Sequence, residues 1–229
     1  MPMRLSVIVP VLNEAAAISA TLQTLAPLRA QGHEVIVVDG GSADATVALA
    51  RPLADRVLAA QQGRARQMNA GAAAAQGSVL LFLHADTLLP AGAATAIQQA
   101  LAAGARWGRF DVRIVGDTGS GARWFPLIAS MMNLRSRLSG IATGDQAIFI
   151  KRSLFVQLGG YADQPLMEDI ELSRRLRAVS PPACLRQRVL TSGRRWQQRG
   201  VWRTVWLMWR LRWRYWRGAS PEVLARAYR

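Results

Sequence analysis

Residues 1–104 predict an α/β fold built on a mostly parallel central sheet, and three observations carry that prediction. Short apolar runs rich in β-branched residues recur at Leu5, Glu34, Arg56 and Ser78. A stretch with helical periodicity or high Ala content follows each run. Asn13-Glu14, Asp39 and Asp86 stand just past three of the runs. Strand–helix alternation of this kind requires crossover connections, so the strands lie parallel with helices packed on the faces. Ligands bind beyond the carboxyl ends of such strands, which is why acids far apart in sequence belong together.

The elements follow in order. Leu5–Val11 reads as a buried strand, short and β-branched. Glu14–Ala30 has helical spacing through Ile18, Leu22 and Leu25. Glu34–Val38 is a second strand, ending at Asp39-Gly40-Gly41-Ser42, and 44–53 a helix with Ser42 as its predicted N-cap. Arg56–Ala60 is a third strand and Gly63–Ala75 an Ala-rich helix. Ser78–Leu83 is a fourth strand closing at His84-Ala85-Asp86, and Pro90–Ala103 a helix with Pro in its first turn. Past residue 105 the alternation changes: strands at 107–115, 147–150 and 185–190, helices at 123–138, 153–158 and 166–179. The predicted organisation is one domain over 1–190, with a nucleotide-binding half (1–104) and an acceptor half (105–190), then a basic helical tail over 191–229.

The chain of 229 residues carries a net charge of +15, unevenly spread. Residues 1–120 hold 9 Arg and 8 acids, residues 121–185 hold 8 bases and 5 acids, and residues 186–229 hold 12 Arg against Glu222 alone. A tail of that sign seeks phosphate, from lipid headgroups, nucleic acid or an anionic substrate. The single Cys184 excludes an internal disulfide and indicates a reducing compartment, read as the cytoplasm. The apolar run after Leu5 is too short for a signal peptide, and no run is long enough to predict a spanning helix.

The acids and their neighbours supply chemistry. Asp39-Gly40-Gly41-Ser42-x-Asp44 is a turn whose carboxylates suit ribose hydroxyls or a base edge, although Asp and Ser there also cap helix entries. Asp86 suits Mg²⁺ or Mn²⁺ shared with a diphosphate, with His84 a second metal ligand, a ribose contact or a strand-end cap. Arg64 and Arg66 open a helix and point in different directions, so one of them faces the site; Arg66 is taken with Asn69 as the pair on a diphosphate. Glu168-Asp169 at a helix start suits the helix dipole. It also suits a general base whose pKa its neighbour raises. Thr143-Gly144-Asp145-Gln146 reads either as a β-turn or as an acceptor-side loop, with Asp145 and Gln146 touching sugar or acceptor.

Taken together these segments resemble the inverting glycosyltransferases of family 2, with the Rossmann-like GT-A fold. Pro10-Val-Leu-Asn13-Glu14 is similar to that family's opening motif, Val37 through Thr46 to its nucleotide turn, and Gly63 through Gly71 to its Arg–Asn segment. His84-Ala85-Asp86 stands where the family has Asp-x-Asp, with His as the departure, and Glu168-Asp169 matches its Glu-Asp pair. The resemblance implies a hexosyltransferase. Pro10, Glu14, Asp39 and Asp44 would be on the nucleoside, Asp86 on a metal bridging the diphosphate of a UDP-sugar donor, and Asp169 the base. Gly63–Asn69, Phe82–Thr87, Thr143–Gln146 and Thr191–Trp196 resemble a small bacterial subgroup associated with radical-SAM/selenodomain proteins and arsenosugar synthesis. Arg194-Arg195-Trp196 is also similar to the Gln-x-x-Arg-Trp motif of processive synthases, with Ser192 in place of Gln, and is read as acceptor- or sugar-binding.

In the tail, Trp202, Trp206, Trp209, Trp213 and Trp216 recur at spacings of 4, 3, 4 and 3. At about 100° per residue they cover roughly 80° of one helix face. Arg199, Arg203, Arg210, Arg214 and Arg217 flank them, and Leu207, Met208, Leu211 and Tyr215 lie opposite. The expectation is that the Leu/Met face docks on the body and the Trp/Arg face meets an anionic membrane, placing the protein peripherally on the inner face. The rival is that the Trp stripe packs in the domain or in a homodimer. Two other function classes fit less well. A nucleotidyltransferase requires a Gly-rich basic loop where Pro10–Glu14 stands. A nucleic-acid binder leaves Glu14, Asp39, Asp86 and Asp169 unexplained, so nucleic acid is not a predicted partner.

Overall fold

The computed structural model describes residues 3–116 and 121–228. The first half runs β1 (Leu5–Val11), α1 (Ile18–Thr24), α2 (Ala26–Ala30), β2 (Glu34–Asp39), α3 (Thr46–Ala50), β3 (Arg56–Ala59), α4 (Arg64–Ala74), β4 (Val79–Phe82), β5 (Thr87–Leu88) and α5 (Ala93–Ala102). The second half adds β6 (Trp107–Val115), α6 (Phe125–Ser139), β7 (Ile148–Lys151), α7 (Arg152–Gln157), α8 (Glu168–Val179) and β8 (Ala183–Ser192). The tail folds as α9 (Arg194–Arg199), α10 (Val201–Trp216) and α11 (Pro221–Tyr228).

One eight-stranded sheet runs in the order β3-β2-β1-β4-β7-β6-β8-β5. Strands β1 to β4 pair in parallel, β7 is antiparallel to both β4 and β6, β6 and β8 are parallel, and β5 closes the edge antiparallel to β8. Successive β1 side chains enter opposite faces. Val7, Val9 and Val11 pack in the core that contains Ile18, Leu22 and Phe110, whereas Ile8 joins Val38, Met68 and Ala72 under α4. Gly71 permits that approach, because a Cβ there would fall 2.5 Å from Ile8 Cγ2.

The predicted helix over 14–30 is two helices. Pro27 stands in the first turn of α2 and has no N–H for a continuing ladder, while Ala17 and Ile18 donate to the Glu14 carbonyl in a turn ahead of α1. Ser42 is not the cap of α3: its hydroxyl bonds Asp39, and Asp44 Oδ1 accepts the Thr46 N–H instead. The helix predicted from 166 begins at Glu168, because Met167 takes a left-handed φ of 65°. The two-residue β5 escaped prediction, being too short for any period to register.

In the tail the Leu/Met face of α10 docks on the body. Leu211 of α10 and Leu224 of α11 are buried with Met167, and Leu166, Ile170, Leu207, Met208 and Tyr215 pack around them. All five Trp of α10 are exposed, from 58% at Trp202 to 79% at Trp216. No helix among the described residues is long and apolar enough to cross a membrane.

Candidate active site

A cavity of about 1160 Å³ opens beyond the carboxyl ends of β1 and β4. Pro10, Glu14, His84, Asp86, Asp145, Glu168, Asp169, Arg194 and Trp196, all singled out from sequence, line it, as does Arg64. Asp169 is fixed at its floor: Oδ2 accepts the Gly144 N–H at 2.9 Å and Oδ1 accepts the N–H of Ile170 at 2.8 Å. Burial, reinforced by the Glu168 carboxylate, pushes the Asp169 carboxyl up to about 6 despite those bonds and the nearby Arg64. Glu168, only 3% exposed, receives Arg64 Nη1 at 3.3 Å. Burial also raises the Asp145 carboxyl. The His84 imidazole stands against Gly144, where a Cβ would lie 2.4 Å from Nε2.

The loops after β1 and β2 are laced to each other. Asn13 N–H donates to Ser42 Oγ and its Oδ1 accepts from Ala43 N–H, while Glu14 N–H donates to Thr46 Oγ1. Gln67 of α4, which sequence reasoning missed, donates through Nε2 to both Val11 O and Val38 O at 2.8 Å and so ties the ends of β1 and β2 together. Its signal was a buried Gln on an otherwise Ala-rich helix. Arg194 Nη2 reaches Glu14 Oε2 at 3.0 Å, linking the tail to the first loop.

Several predicted site residues lie elsewhere. Arg66 pairs with Asp163 at the surface, and Arg64 takes the inward position; residues two apart on a helix point about 200° apart. Asn69 exchanges two hydrogen bonds with the Tyr161 backbone, holding the loop after α7 rather than facing the cavity. Gln146 is fully buried and its Oε1 accepts from Thr143 in a capping box, so it is not on the cavity wall. Asp39 accepts from Gly41, Ser42 N–H and Ser42 Oγ within its own turn. Asp44 accepts from Ala15 and Thr46, and the Thr46 hydroxyl holds its carboxyl low. Both shape the loop beside the cavity without lining it. The Arg195 side chain lies outside the described residues.

Metal chemistry is tested by the donor set. No group of three or more His, Cys, Asp or Glu able to hold an ion occurs among the described residues. Asp86 and His84, which line the cavity after β4, would leave any cation held there to take most of its ligands from phosphate and water, as Mg²⁺ and Mn²⁺ do beside diphosphates. They do not form an all-protein cage.

A parallel sheet with carboxylates at its strand ends, extended by an antiparallel segment that brings in a Glu–Asp pair, defines the class: the GT-A fold of glycosyltransferases. Residues 6–157 match the model described as "Glycosyl transferase family 2", and the chain belongs to that family. The PGL/p-HBAD biosynthesis glycosyltransferase of Mycobacterium tuberculosis is 38% identical over 91 residues, 37% of this chain and 36% of that protein. The match thus spans about a third of the length of these curated relatives. Among solved structures, S. aureus TarS 1-349 superposes with a TM-score of 0.65 at 19% identity, over 83% of this chain and 61% of that one. The mannosyltransferase PcManGT of Pyrobaculum calidifontis, solved with GDP-Man and Mn²⁺, gives 0.68 at 21% identity, over 100% and 69%. Glucosyl-3-phosphoglycerate synthase of M. tuberculosis, solved with Mn²⁺, UDP and glucosyl-3-phosphoglycerate, gives 0.59 at 22% identity, over 81% and 70%. At these identities the likeness establishes the fold.

Proposed function

We propose that the protein transfers a sugar from a nucleoside-diphosphate donor, a UDP-sugar, to an acceptor hydroxyl with inversion. One observation carries the reading: a carboxylate tuned to about 6 at the floor of a cavity that Asp86 also lines. Near neutral pH Asp169 is ionised yet basic enough to take a hydroxyl proton at Oδ1 or Oδ2. The bonds from Gly144 and Ile170 hold it in one rotamer, so the acceptor oxygen is deprotonated as it attacks the anomeric carbon on the face opposite the diphosphate. Burial first, then Glu168 and Arg64, set its basicity, and the laced β1 and β2 loops shape the nucleoside side. Asp86 with His84 would hold Mg²⁺ or Mn²⁺, which supplies charge neutralisation for the departing diphosphate. UDP, UDP-GlcNAc and GDP-Man in structural neighbours support a nucleotide-sugar donor.

We assign the chain to the bacterial radical-SAM/selenodomain-associated subgroup on its four resembling segments alone; that grouping leaves the acceptor open. The exposed Trp stripe, with Arg210 and Arg217 stacked on Trp206 and Trp213 at 5.3 and 5.2 Å, supports peripheral attachment to an anionic bilayer from the cytoplasmic side. Two measurements test the reading. UDP with Mn²⁺ should raise the melting temperature, and a flat melting curve sinks the donor assignment. Anionic liposomes at low salt should sediment the protein, and its staying in the supernatant ends the membrane version.

A further inference from the structure

The cavity is larger than a nucleotide sugar requires, since pockets for ligands of that size run to about 300–1,000 Å³. Its excess lies past Asp169, between α6 and α10. On α6, Leu127, Met131, Leu134 and Leu138 recur at helical spacing on the cavity wall and are 48%, 48%, 58% and 80% exposed. Val205, Met208 and Trp209 of α10 line the same trough. A free sugar acceptor is read by amide and carboxylate groups at its hydroxyls, whereas these walls present methyls, a thioether and an indole. An exposed apolar surface of this extent marks a binding site.

Two cations interrupt it. Arg135, one residue past Leu134, and Arg212, four past Met208, both line the cavity. Nε and Nη2 of Arg135 and Nε of Arg212 are shielded from solvent and lack a hydrogen-bond partner among the described residues. Asp145 and Asp169 put negative charge near Arg135 but accept no hydrogen bond from its Nε or Nη2, so these nitrogens, like Arg212 Nε, still call for an acceptor atom from an anionic ligand. Trp202 and Trp209 belong both to the cavity wall and to the exposed stripe of α10, so the trough opens onto the face that carries Trp206, Trp213 and Trp216.

We propose that the accepting hydroxyl belongs to an anionic lipid, whose apolar chain lies in the trough between α6 and α10 and whose anionic group meets Arg135 and Arg212. The proposal rests on the transferase reading of Asp169 and adds the chemical class of the acceptor. The membrane-facing stripe then delivers the lipid laterally, chain first along α6, so that its headgroup reaches the base.

The test uses the full chain and dodecyl phosphate below its micellar concentration, followed by tryptophan fluorescence. Dodecyl phosphate should bind at least about tenfold more tightly than inorganic phosphate or dodecanol, since chain and charge each contribute a contact worth that factor. Leu134→Glu, at an exposed position that folding does not depend on, should weaken it by about tenfold or more, and Arg135→Gln should narrow the preference for dodecyl phosphate over dodecanol. Dodecyl phosphate binding no better than inorganic phosphate, or equally well to Leu134→Glu, overturns the proposal. The melting shift with UDP and Mn²⁺ should be unchanged in Leu134→Glu. Loss of that shift in the parent protein, with lipid binding intact, would overturn the donor reading instead.

Discussion

Replacing Asp169 by Asn should slow transfer and stabilise the fold, and the two effects have one cause. The folded carboxyl titrates near 6, against 3.8 without the fold. Because the folded value is the higher one, the native state binds more protons than the unfolded state between those pH values. Wild-type stability therefore falls as pH rises through that window and stays lowered above it. The rise corresponds to about 3 kcal/mol. Against this, an amide nitrogen set where Oδ2 now accepts from Gly144 costs about 1 kcal/mol. Asp169→Asn should thus gain about 2 kcal/mol at pH 7.5, or about 4–8 °C in Tm for a chain of this size. The gain should vanish by about pH 4.5 and turn into a small loss below the unfolded value. Transfer should fall by about 10²–10⁴, and the wild-type kcat/KM should show an acid limb centred near pH 6. Melting curves at several pH values and a donor-turnover assay check both arms. A Tm difference of the same size and sign at pH 4.5 and 7.5, or a kcat/KM flat between pH 5 and 7, would refute the argument.

Three further outcomes separate the roles of neighbouring residues. Arg64→Gln leaves the buried Glu168 without its cation and should cost about 1–2 kcal/mol, discounted because Arg64 is itself 43% exposed; it should also move the acid limb of kcat/KM upward, since Arg64 lowers the Asp169 value. The matching Arg66→Gln should cost less than about 0.5 kcal/mol, as exposed pairs do, and leave the pH profile unmoved; denaturant titration and a pH series compare them. Gln67→Leu takes a donor from Val38 O and leaves Val11 O with the Gly40 N–H alone, and should cost about 1–3 kcal/mol in urea unfolding. Gly144→Ala drives a methyl into His84. It should lower kcat at least about tenfold while changing stability by less than about 2 kcal/mol, as overpacking at a partly open wall does; kinetics beside a melting curve decide it.

Most of the sheet was legible because its strands are short β-branched runs bounded by Asn, Asp and Gly, buried on both faces and so apolar without a break. Helix limits were less so: Pro27 and the left-handed Met167 act through hydrogen bonds that periodicity does not encode. The acids at strand ends were findable by their position, and the cavity contains Glu14, Asp86, Asp145, Glu168 and Asp169. Which neighbour shares it was not. Arg64 and Arg66 differ only by rotation about α4, and that rotation is set by Met68 and Ala72 packing under it. Asp44 and Gln146 carry suitable chemistry, but local backbone groups engage them first. The stripes of α10 were readable, whereas the docking of its Leu/Met face depended on Met167 and Leu224, neither of which belongs to that helix.

That last cluster has a consequence for dissecting the protein. Met167 immediately precedes Glu168 and Asp169, and Leu211 and Leu224 clamp it from the far end of the chain. A polypeptide cut after β8 would retain its eight strands yet lose the packing behind the proposed base, Asp169. On that reading the carboxyl-terminal helices buttress the reacting carboxylate, and a truncated protein should lose turnover before it loses its sheet.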